Sequence, residues 1–305
     1  MTSRVLCVGR NSVDYVFSVD LSAVRADSKQ RADDPAIVIG GQCVNAVVTL
    51  AALGAQVSYA GVVGAQASGD LVMQFLHENR IDLRAVERAA GLANPCAYIF
   101  VDRKTGERSI VETQAADFPA FSGEIDEAIW AETSYLYFDG HEIEASVALA
   151  REAAIRGVAT MTDIEVLSPQ TTELISLVET SIVPKGVASE IAGSDKDVDM
   201  LAALAELGGS CHVVTMGDQG AIGALHGGEV FRVPAVPCQV VDTTGAGDAF
   251  HAGFLYADMA GASLQKSMMF AARVASIACT FAGPSAPSYA LSSLSAIVTN
   301  ETWIS

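Results

Sequence analysis

The most distinctive short segment of the sequence joins an apolar run to an apolar-periodic stretch through three small residues and an acid. Gly245, Ala246 and Gly247 carry nothing larger than a methyl group, and Asp248 follows them directly. If a helix begins here, the backbone N–H groups of the small residues point out of its positive end, an arrangement that binds anions such as phosphate. Asp248 would lie in the first turn, where a carboxylate can accept a proton from an attacking hydroxyl. The segment predicts an anion hole beside a general base.

The same four residues also allow a purely structural interpretation. Two glycines make a tight strand-to-helix turn, and an acid in the first turn stabilises the helix dipole. The sequence contains no Gly-x-x-x-x-Gly-Lys segment and no His-Arg-Asp kinase segment, so other common phosphate motifs do not compete. On these residues alone, both the structural and the catalytic interpretation of the turn stay open.

Short β-branched runs alternate with amphipathic stretches along most of the chain, which is typical of parallel strands joined by crossover helices. Strands are predicted at 5–9, 57–64, 135–139, 159–163, 181–184 and 212–215, and helices at 45–53, 69–79, 145–156 and 198–207. We also expect a strand over 240–241 leading into the glycine turn, and a turn at 283–288 after the last long helix. The pattern predicts an α/β fold with a doubly wound, mostly parallel sheet.

Three segments with strand-like alternation do not fit this order: 15–20, 36–39 and 97–111. They predict a small β-sheet of about four strands, inserted discontinuously as a lid. Residues 1–14, 40–93 and 114–305 would form the α/β core, and 15–39 and 94–113 the lid. Because a sheet with an apolar face needs a cover, we expect the lid to close over a ligand and to form a homodimer interface.

Charge and hydropathy exclude several classes of protein. The 305 residues are 50% hydrophobic and carry 18 Lys and Arg against 36 Asp and Glu, a net charge of −18. No basic cluster is present, so we expect no nucleic-acid partner. The apolar windows are shorter than the roughly 18 residues of a membrane span, and six widely spaced cysteines favour free thiols. With no signal-like amino terminus, we expect a cytoplasmic protein without a membrane partner.

Four motifs together resemble the ribokinase-like carbohydrate kinases. The run Asp-Thr-Thr-Gly-Ala-Gly-Asp-Ala-Phe at 242–250 is similar to the carboxy-terminal signature of that family. Asn-Ser-Val-Asp at 11–14, Gly-Gly-Gln-Cys-Val-Asn at 40–45 and Val-Thr-Met-Gly-Asp-Gln-Gly at 214–220 resemble its other motifs, in the expected order. The resemblance extends over nearly the entire chain. It implies a ribokinase-like fold and an ATP-dependent kinase acting on a sugar hydroxyl.

The resemblance also implies site residues in three groups. They are Asp248 with Gly245, Ala246 and Gly247 for catalysis; Asp14, Gly40, Gly41 and Asn45 for the sugar; and Thr215, Gly217, Gly220 and Lys185 for the nucleotide. ATP and Mg²⁺ would be the cofactors, with a monovalent cation as a further candidate. A small-molecule sugar would be the principal partner.

One segment departs from the family pattern. Many members carry Asn-x-x-Glu after the strand that here ends near Pro184, where it organises magnesium through water. This chain has Lys185 and Ala188 at those positions, and Glu190 is the candidate substitute. Ketohexokinases are similar at this segment, and at the strand end 163–165.

A bacterial sulfofructose kinase is also similar to the chain, but the residues expected to bind a sulfonate do not match. Glu112 stands where an asparagine would be expected, and His141 where an arginine would. An acid beside a sulfonate is repulsive. We therefore expect a neutral sugar, a ketose or a pentose, phosphorylated on a hydroxymethyl-type hydroxyl.

Two alternatives remain open. A nucleoside kinase would need an aromatic slot for a base, which Phe17, Tyr98 and Phe100 in the lid could supply. A non-catalytic sugar-binding regulator would fit the altered segment 184–190. His141 follows a predicted strand end, where it could contact substrate or bond only to backbone.

Overall fold

The computed structural model describes residues 4–25, 27–105 and 108–281. Its strands are β1 (Arg4–Val8), β2 (Ser12–Val19), β3 (Asp33–Gly40), β4 (Gln56–Gly64), β5 (Asp82–Ala89), β6 (Cys96–Asp102), β7 (Arg108–Thr113), β8 (Thr133–Phe138), β9 (Ala159–Asp163), β10 (Thr180–Pro184), β11 (Cys211–Thr215), β12 (Ala221–Leu225) and β13 (Val230–Val233). Its helices are α1 (Gln42–Leu53), α2 (Ala67–Glu78), α3 (Glu127–Glu132), α4 (Ile143–Arg156), α5 (Pro169–Leu177), α6 (Lys185–Ala192), α7 (Asp197–Leu207), α8 (Ala246–Met259) and α9 (Leu264–Ala278).

Nine strands form the main sheet, in the order β13-β12-β11-β10-β9-β8-β1-β4-β5. The pairings from β11 through β5 are parallel, whereas β12 and β13 form an antiparallel edge. The carboxyl ends of the parallel strands therefore meet at one edge of the sheet, where ligands bind in open α/β folds.

Both faces of this sheet are covered by helices. Along β1, Val5 and Cys7 pack into a core with residues of α1, α2, α8 and α9, while Leu6 and Val8 pack into a second core with residues of α4, α5 and α7. Because successive side chains of a strand point to opposite faces, a strand buried on both sides reads as a continuous apolar run. The doubly wound, mostly parallel sheet that the sequence predicts is confirmed.

The four remaining strands form a separate small sheet, in the order β3-β2-β6-β7. Strand β2 is antiparallel to β3 and parallel to β6, and β6 is antiparallel to β7. The small sheet thus uses two separate pieces of chain. Strand β2 begins at Ser12, three residues before the predicted ribbon, so Asp14 lies on the small sheet.

The predicted helices and strands are present, with ends displaced by up to three residues; α1 begins at Gln42 rather than at residue 45. The strand expected over 240–241 is wrong. Val240 and Val241 are exposed and lie in a segment without strand structure, tied down where Val241 N–H donates to Cys279 O (2.8 Å). The Val241 N–H is thus bonded to the chain just after α9 rather than to a neighbouring strand.

All six cysteines are free and buried or half-buried, as expected. Within the described ranges, no helix has both the length and the apolar character that a membrane span requires. The turn expected at 283–288 lies outside the described residues.

Candidate active site

The glycine turn forms the amino terminus of α8. Gly245 precedes the helix in the left-handed conformation (φ +76°), which glycine adopts without strain. The Asp242 carboxylate shapes the approach by accepting from both N–H and Oγ of Thr244 (2.9 and 2.8 Å). Ala246 N–H donates to a carbonyl of the same turn (3.2 Å), whereas in the described part of the chain the amides of Gly245 and Gly247 have no partner. Two of the three predicted amide donors are therefore free to bind an anion.

Asp248 lies in the first turn of α8 and is buried. Its Oδ2 accepts a hydrogen bond from Nδ2 of Asn45 on α1 (2.7 Å). Burial, and then the nearby charge of Asp163, raise the pKa of Asp248 to about 8, although the Asn45 hydrogen bond and His251 act in the opposite direction. A carboxylate with a pKa near neutral pH is suited to general-base chemistry.

Asp163 and His251 form a buried cluster with Asp248, and the three side chains offer ligand atoms within 4.8 Å of one another. Asp163 ends β9 and is completely buried. Its Oδ2 accepts from Nε2 of Gln42 (2.7 Å) and from the Tyr137 hydroxyl (3.2 Å). His251 Nδ1 lies 2.8 Å from the same oxygen, in ion-pair contact although its N–H is poorly aligned.

The charge state of His251 follows from these neighbours. Burial alone would lower its pKa, but Asp163, through charge and contact, and then Asp248 raise it above the usual value. A buried histidine beside two carboxylates is thus stabilised as the imidazolium.

The sugar-binding candidates lie across the small sheet and the start of α1. Asp14 is buried, and its Oδ1 accepts from the Ser12 hydroxyl (2.7 Å). Burial raises the pKa of Asp14, partly offset by that bond. A Cβ at Gly40 would lie 2.5 Å from Asp14 Oδ2, and one at Gly41 (φ +98°) would lie 2.6 Å from the Asn11 Cα. Both glycines are therefore required by close approach, and Gly41 by its backbone angle as well.

Asp139, immediately after β8, ties this region together. Its carboxylate accepts from three backbone N–H groups, those of Arg10 (2.7 Å), Cys43 (3.2 Å) and His141 (3.0 Å). These amides belong to the loop after β1, the start of α1 and the loop after β8. Asp139 thereby holds these three segments in fixed positions relative to one another.

His141 does more than bond to backbone. Its exposed side chain places Nε2 3.1 Å from Gln42 Oε1. Together with Arg10, Asn11 and Glu142, it lines a second cavity of about 210 Å³.

The expected nucleotide residues line a larger cavity of about 610 Å³. Of the predicted set, Thr215, Gly217, Gly220, Ala246 and Gly247 lie on its wall. Further lining residues from the 235–240 segment and from α8 and α9 make the wall mainly apolar; they include Val236, Pro237, Phe250, Ala272 and Ala275. A mainly apolar cavity that also contains the amides of the glycine turn suits an aromatic base joined to a phosphate chain.

Lys185 and Glu190 are not among the residues that line this cavity. Lys185 begins α6, directly after Pro184, the residue that pairs with Thr215. Glu190 is exposed and, as far as the structure describes the chain, forms no hydrogen bond or ion pair. An unpaired oxygen ligand of this kind fits a hydrated Mg²⁺ that arrives with phosphates.

The aromatic slot proposed for a nucleoside base is not formed beside Asp14. Tyr98 stacks on Tyr15 and Phe100 on Phe17, with ring centroids 5.3 and 5.6 Å apart. Because Tyr15 follows Asp14 directly on β2, these rings lie on the opposite face of the small sheet from Asp14.

Three contributors to the site were not expected from the sequence: Asp139, which holds three backbone amides; Gln42, which bridges Asp163 and His141; and His251, a charged neighbour of the base. Only His251 had a usable signal, since it lies three residues after Asp248 and so on the same face of α8. The other two contacts join residues that are distant in sequence.

Comparisons with known proteins agree with this geometry. Ketohexokinase of Mus musculus is 24% identical over 293 residues, which cover 92% of this chain and 97% of that protein. A nucleoside kinase of Methanothermobacter thermautotrophicus is 25% identical over 286 residues, 89% of this chain and 88% of that protein. The structure of Arabidopsis thaliana ribokinase complexed with ribose and ATP shares the fold, with a TM-score of 0.84 at 22% identity over 96% of this chain and 99% of that one.

The sequence model of the family described as "pfkB family carbohydrate kinase" matches residues 2–290. The ribokinase-like resemblance of the four motifs is thereby confirmed, and the chain belongs to the pfkB family of carbohydrate kinases.

Proposed function

We propose that the protein transfers the γ-phosphoryl group of ATP to a hydroxymethyl-type hydroxyl of a neutral sugar, a ketose or a pentose. The observation that carries this proposal is the 2.7 Å hydrogen bond from Asn45 to Asp248. It joins the sugar-binding segment to the base, and the base follows the two free amides of the glycine turn.

In this proposal Asp248 accepts the proton of the sugar hydroxyl as its oxygen attacks the γ-phosphorus. The amides of Gly245 and Gly247 stabilise the charge that spreads over the equatorial oxygens of the transferred phosphoryl group. The Ala246 amide joins them once its hydrogen bond within the turn is broken. Asp14, Asn45 and the Gly40–Gly41 backbone hold the other hydroxyls. Most of the acceleration then comes from positioning two bound reactants.

Magnesium, when bound with the nucleotide, neutralises phosphate charge in a chain of net charge −18. We assign Glu190 to it through water, and we place Lys185 near the phosphates because it follows the strand beside Thr215. A monovalent cation stays a prediction from the family resemblance.

The acceptor side favours an uncharged substrate. Arg10 lies there, but its guanidinium is 3.5 Å from the Glu112 carboxylate, which offsets its charge. Asp14 adds a second acid on the same face of the small sheet, since Ala97 pairs with both Asp14 and Glu112. A phosphate or sulfonate on the sugar would meet net negative charge.

We also propose that the small sheet acts as a lid and as the interface of a homodimer. On the face away from Asp14, Ile37, Tyr15, Tyr98 and Val111 form one apolar row across all four strands. Ile37 and Val111 are more than half exposed. A two-fold dimer would bury this row against its copy.

ADP release with a panel of neutral ketoses, pentoses, hexoses and nucleosides tests the function. We expect turnover with a ketose or a pentose and a phosphorus NMR signal of a sugar monophosphate. Turnover with nucleosides alone would establish the nucleoside-kinase alternative. Binding of a sugar without ADP release would establish the non-catalytic regulator.

A further inference from the structure

The pocket behind the glycine turn holds two carboxylates and one imidazole, and the proposed reaction uses only one of them. Asp248 and Asp163 are both buried, and so is His251. They come from the first turn of α8, the end of β9 and the second turn of α8. Burying two like charges so close together is costly unless a cation or several donors accompany them.

The two carboxylates are bonded very unequally. Asp163 Oδ2 receives Gln42 Nε2, the Tyr137 hydroxyl and the ion-pair contact from His251. Among the residues that the structure describes, Asp248 receives one donor, from Asn45. Donors to a carboxylate favour its ionised form. Asp163 is therefore the more fully bonded of the two acids, and Asp248 is the one left with capacity to gain and lose a proton.

Charge counting shows what His251 contributes. With the imidazolium present, the three groups carry −1 when Asp248 is ionised and 0 once Asp248 has taken a proton. With a neutral imidazole, the same two states carry −2 and −1. The second pair of states is much less favourable for an ionised base in a buried site.

We propose that the His251–Asp163 ion pair is a positioning and charge-setting element for phosphoryl transfer, which allows Asp248 to be an anion beside a second buried carboxylate. The inference rests on the proposed function, in which Asp248 is the base. His251 and Asp163 themselves touch neither the sugar nor the nucleotide in this account.

Other titratable groups also surround the pair. Glu165 follows Asp163, and its charge acts on both His251 and Asp248. Tyr137 and Asp139 approach from β8, and Cys43 from α1, where burial raises the pKa of the Cys43 thiol. His141 connects to Asp163 only through Gln42. His251 is the one group among these that can supply a positive charge in contact with Asp163.

The proposal predicts opposite effects from its two members. His251→Asn removes the positive charge, so the acid limb of kcat/KM for the sugar should move up by about one pH unit, with activity at pH 7 reduced about tenfold and recovering near pH 9. Asp163→Asn removes the repulsion by Asp163, which acts on Asp248 more strongly than the attraction by His251 does. The acid limb of kcat/KM in this variant should therefore move to lower pH. If the two residues only pack, both variants should have a lower maximum kcat/KM, and the pH at which each acid limb falls should not change.

His212→Asn is a matched control. His212 is also buried, on β11, where its Nδ1 bonds to the Ser181 hydroxyl (2.9 Å), and burial lowers its pKa to about 4. It is a neutral buried histidine away from the site. Its replacement should leave the pH profile unchanged.

The direct readout is ¹⁵N NMR of histidine-labelled full-length protein without ligands, with the His251 signal identified by its loss in His251→Asn. We expect an imidazolium at pH 7 in the wild type and a lower titration midpoint in Asp163→Asn. A neutral His251 at pH 6, or acid limbs that move in the same direction in both variants, would overturn the proposal. Absence of transfer with every acceptor would instead overturn the proposed function and this role with it, so the two failures are distinguishable.

Discussion

Replacing the proposed base should stabilise the protein. Asp248 has a pKa of about 8 in the folded chain, compared with 3.8 for an ordinary aspartate. Between these values the unfolded chain loses this proton while the folded chain keeps it. Stability from this group is therefore fully present below pH 4 and is lost as pH rises to 8, at about 1.4 kcal/mol per pH unit.

The magnitude follows from the same two values. At pH 7 the loss amounts to about 4 kcal/mol as an upper limit, and the uncharged amide introduced by Asp248→Asn would not incur it. The substitution also keeps a hydrogen bond, because Asn45 Oδ1 is buried without a partner in the described structure and can accept from the new amide. Asp248→Asn should then raise the free energy of unfolding at neutral pH, by more at pH 8 than at pH 6.

Urea unfolding of the wild type and of Asp248→Asn at pH 5, 6, 7, 8 and 9 measures this difference. We expect a gain that grows with pH and levels off above pH 8. Asp258→Asn, at the other end of α8 and outside the site, is a second test of the same reasoning: burial also raises the pKa of Asp258, so this variant should likewise gain stability as pH rises. A variant that is less stable than wild type by the same amount at every pH would refute the reasoning about the buried carboxyl.

Three further predictions concern the acceptor side and the small sheet. Asp14→Ala should weaken sugar binding by about 1–3 kcal/mol in calorimetry while ATP binding changes little, since hydroxyls lose a buried partner; equal loss of both ligands would contradict the assignment. Gly41→Ala should reduce the free energy of unfolding more than Gly54→Ala, because both have φ near +100° but only Gly41 meets backbone within 2.6 Å; equal losses would remove the close approach from the argument. Light scattering at micromolar concentration should give a dimer for the wild type and a monomer for Tyr98→Asp, and a dimeric variant would exclude the small sheet as the interface.

The sequence predicts those parts of the fold and site that depend on neighbours along the chain. Continuous apolar runs indicate strands that are buried on both faces, and these identify a doubly wound sheet. The small residues before Asp248 identify the start of α8. It fails where contacts join distant segments. The pairing of Asp163 with His251 depends on β9 ending beneath the start of α8, and the Asp139 clamp depends on β8 lying next to β1. Val240 and Val241 mislead because β-branched composition does not reveal that the Val241 N–H bonds to the Cys279 carbonyl instead of to a strand.

The small sheet shows that the sequence also fails to predict on which face of a sheet the residues of different strands meet. Alternation along β2 alone puts Phe17 on the face opposite Asp14, but only the register of β2 with β6 shows on which face Tyr98 and Phe100 lie. That register places the stacked aromatic rings away from the acceptor. The aromatic slot for a nucleoside thus depended on information that strand composition alone does not contain.

The most direct test of the account is the turnover of Asp248→Asn with the best neutral sugar and saturating MgATP, with sugar affinity measured on the same preparation by calorimetry. We expect a fall in kcat of about three orders of magnitude or more with sugar affinity nearly unchanged, because the variant keeps the shape of the site and loses only the proton acceptor. A folded variant that retains a tenth of the wild-type kcat would contradict it and remove Asp248 from the mechanism.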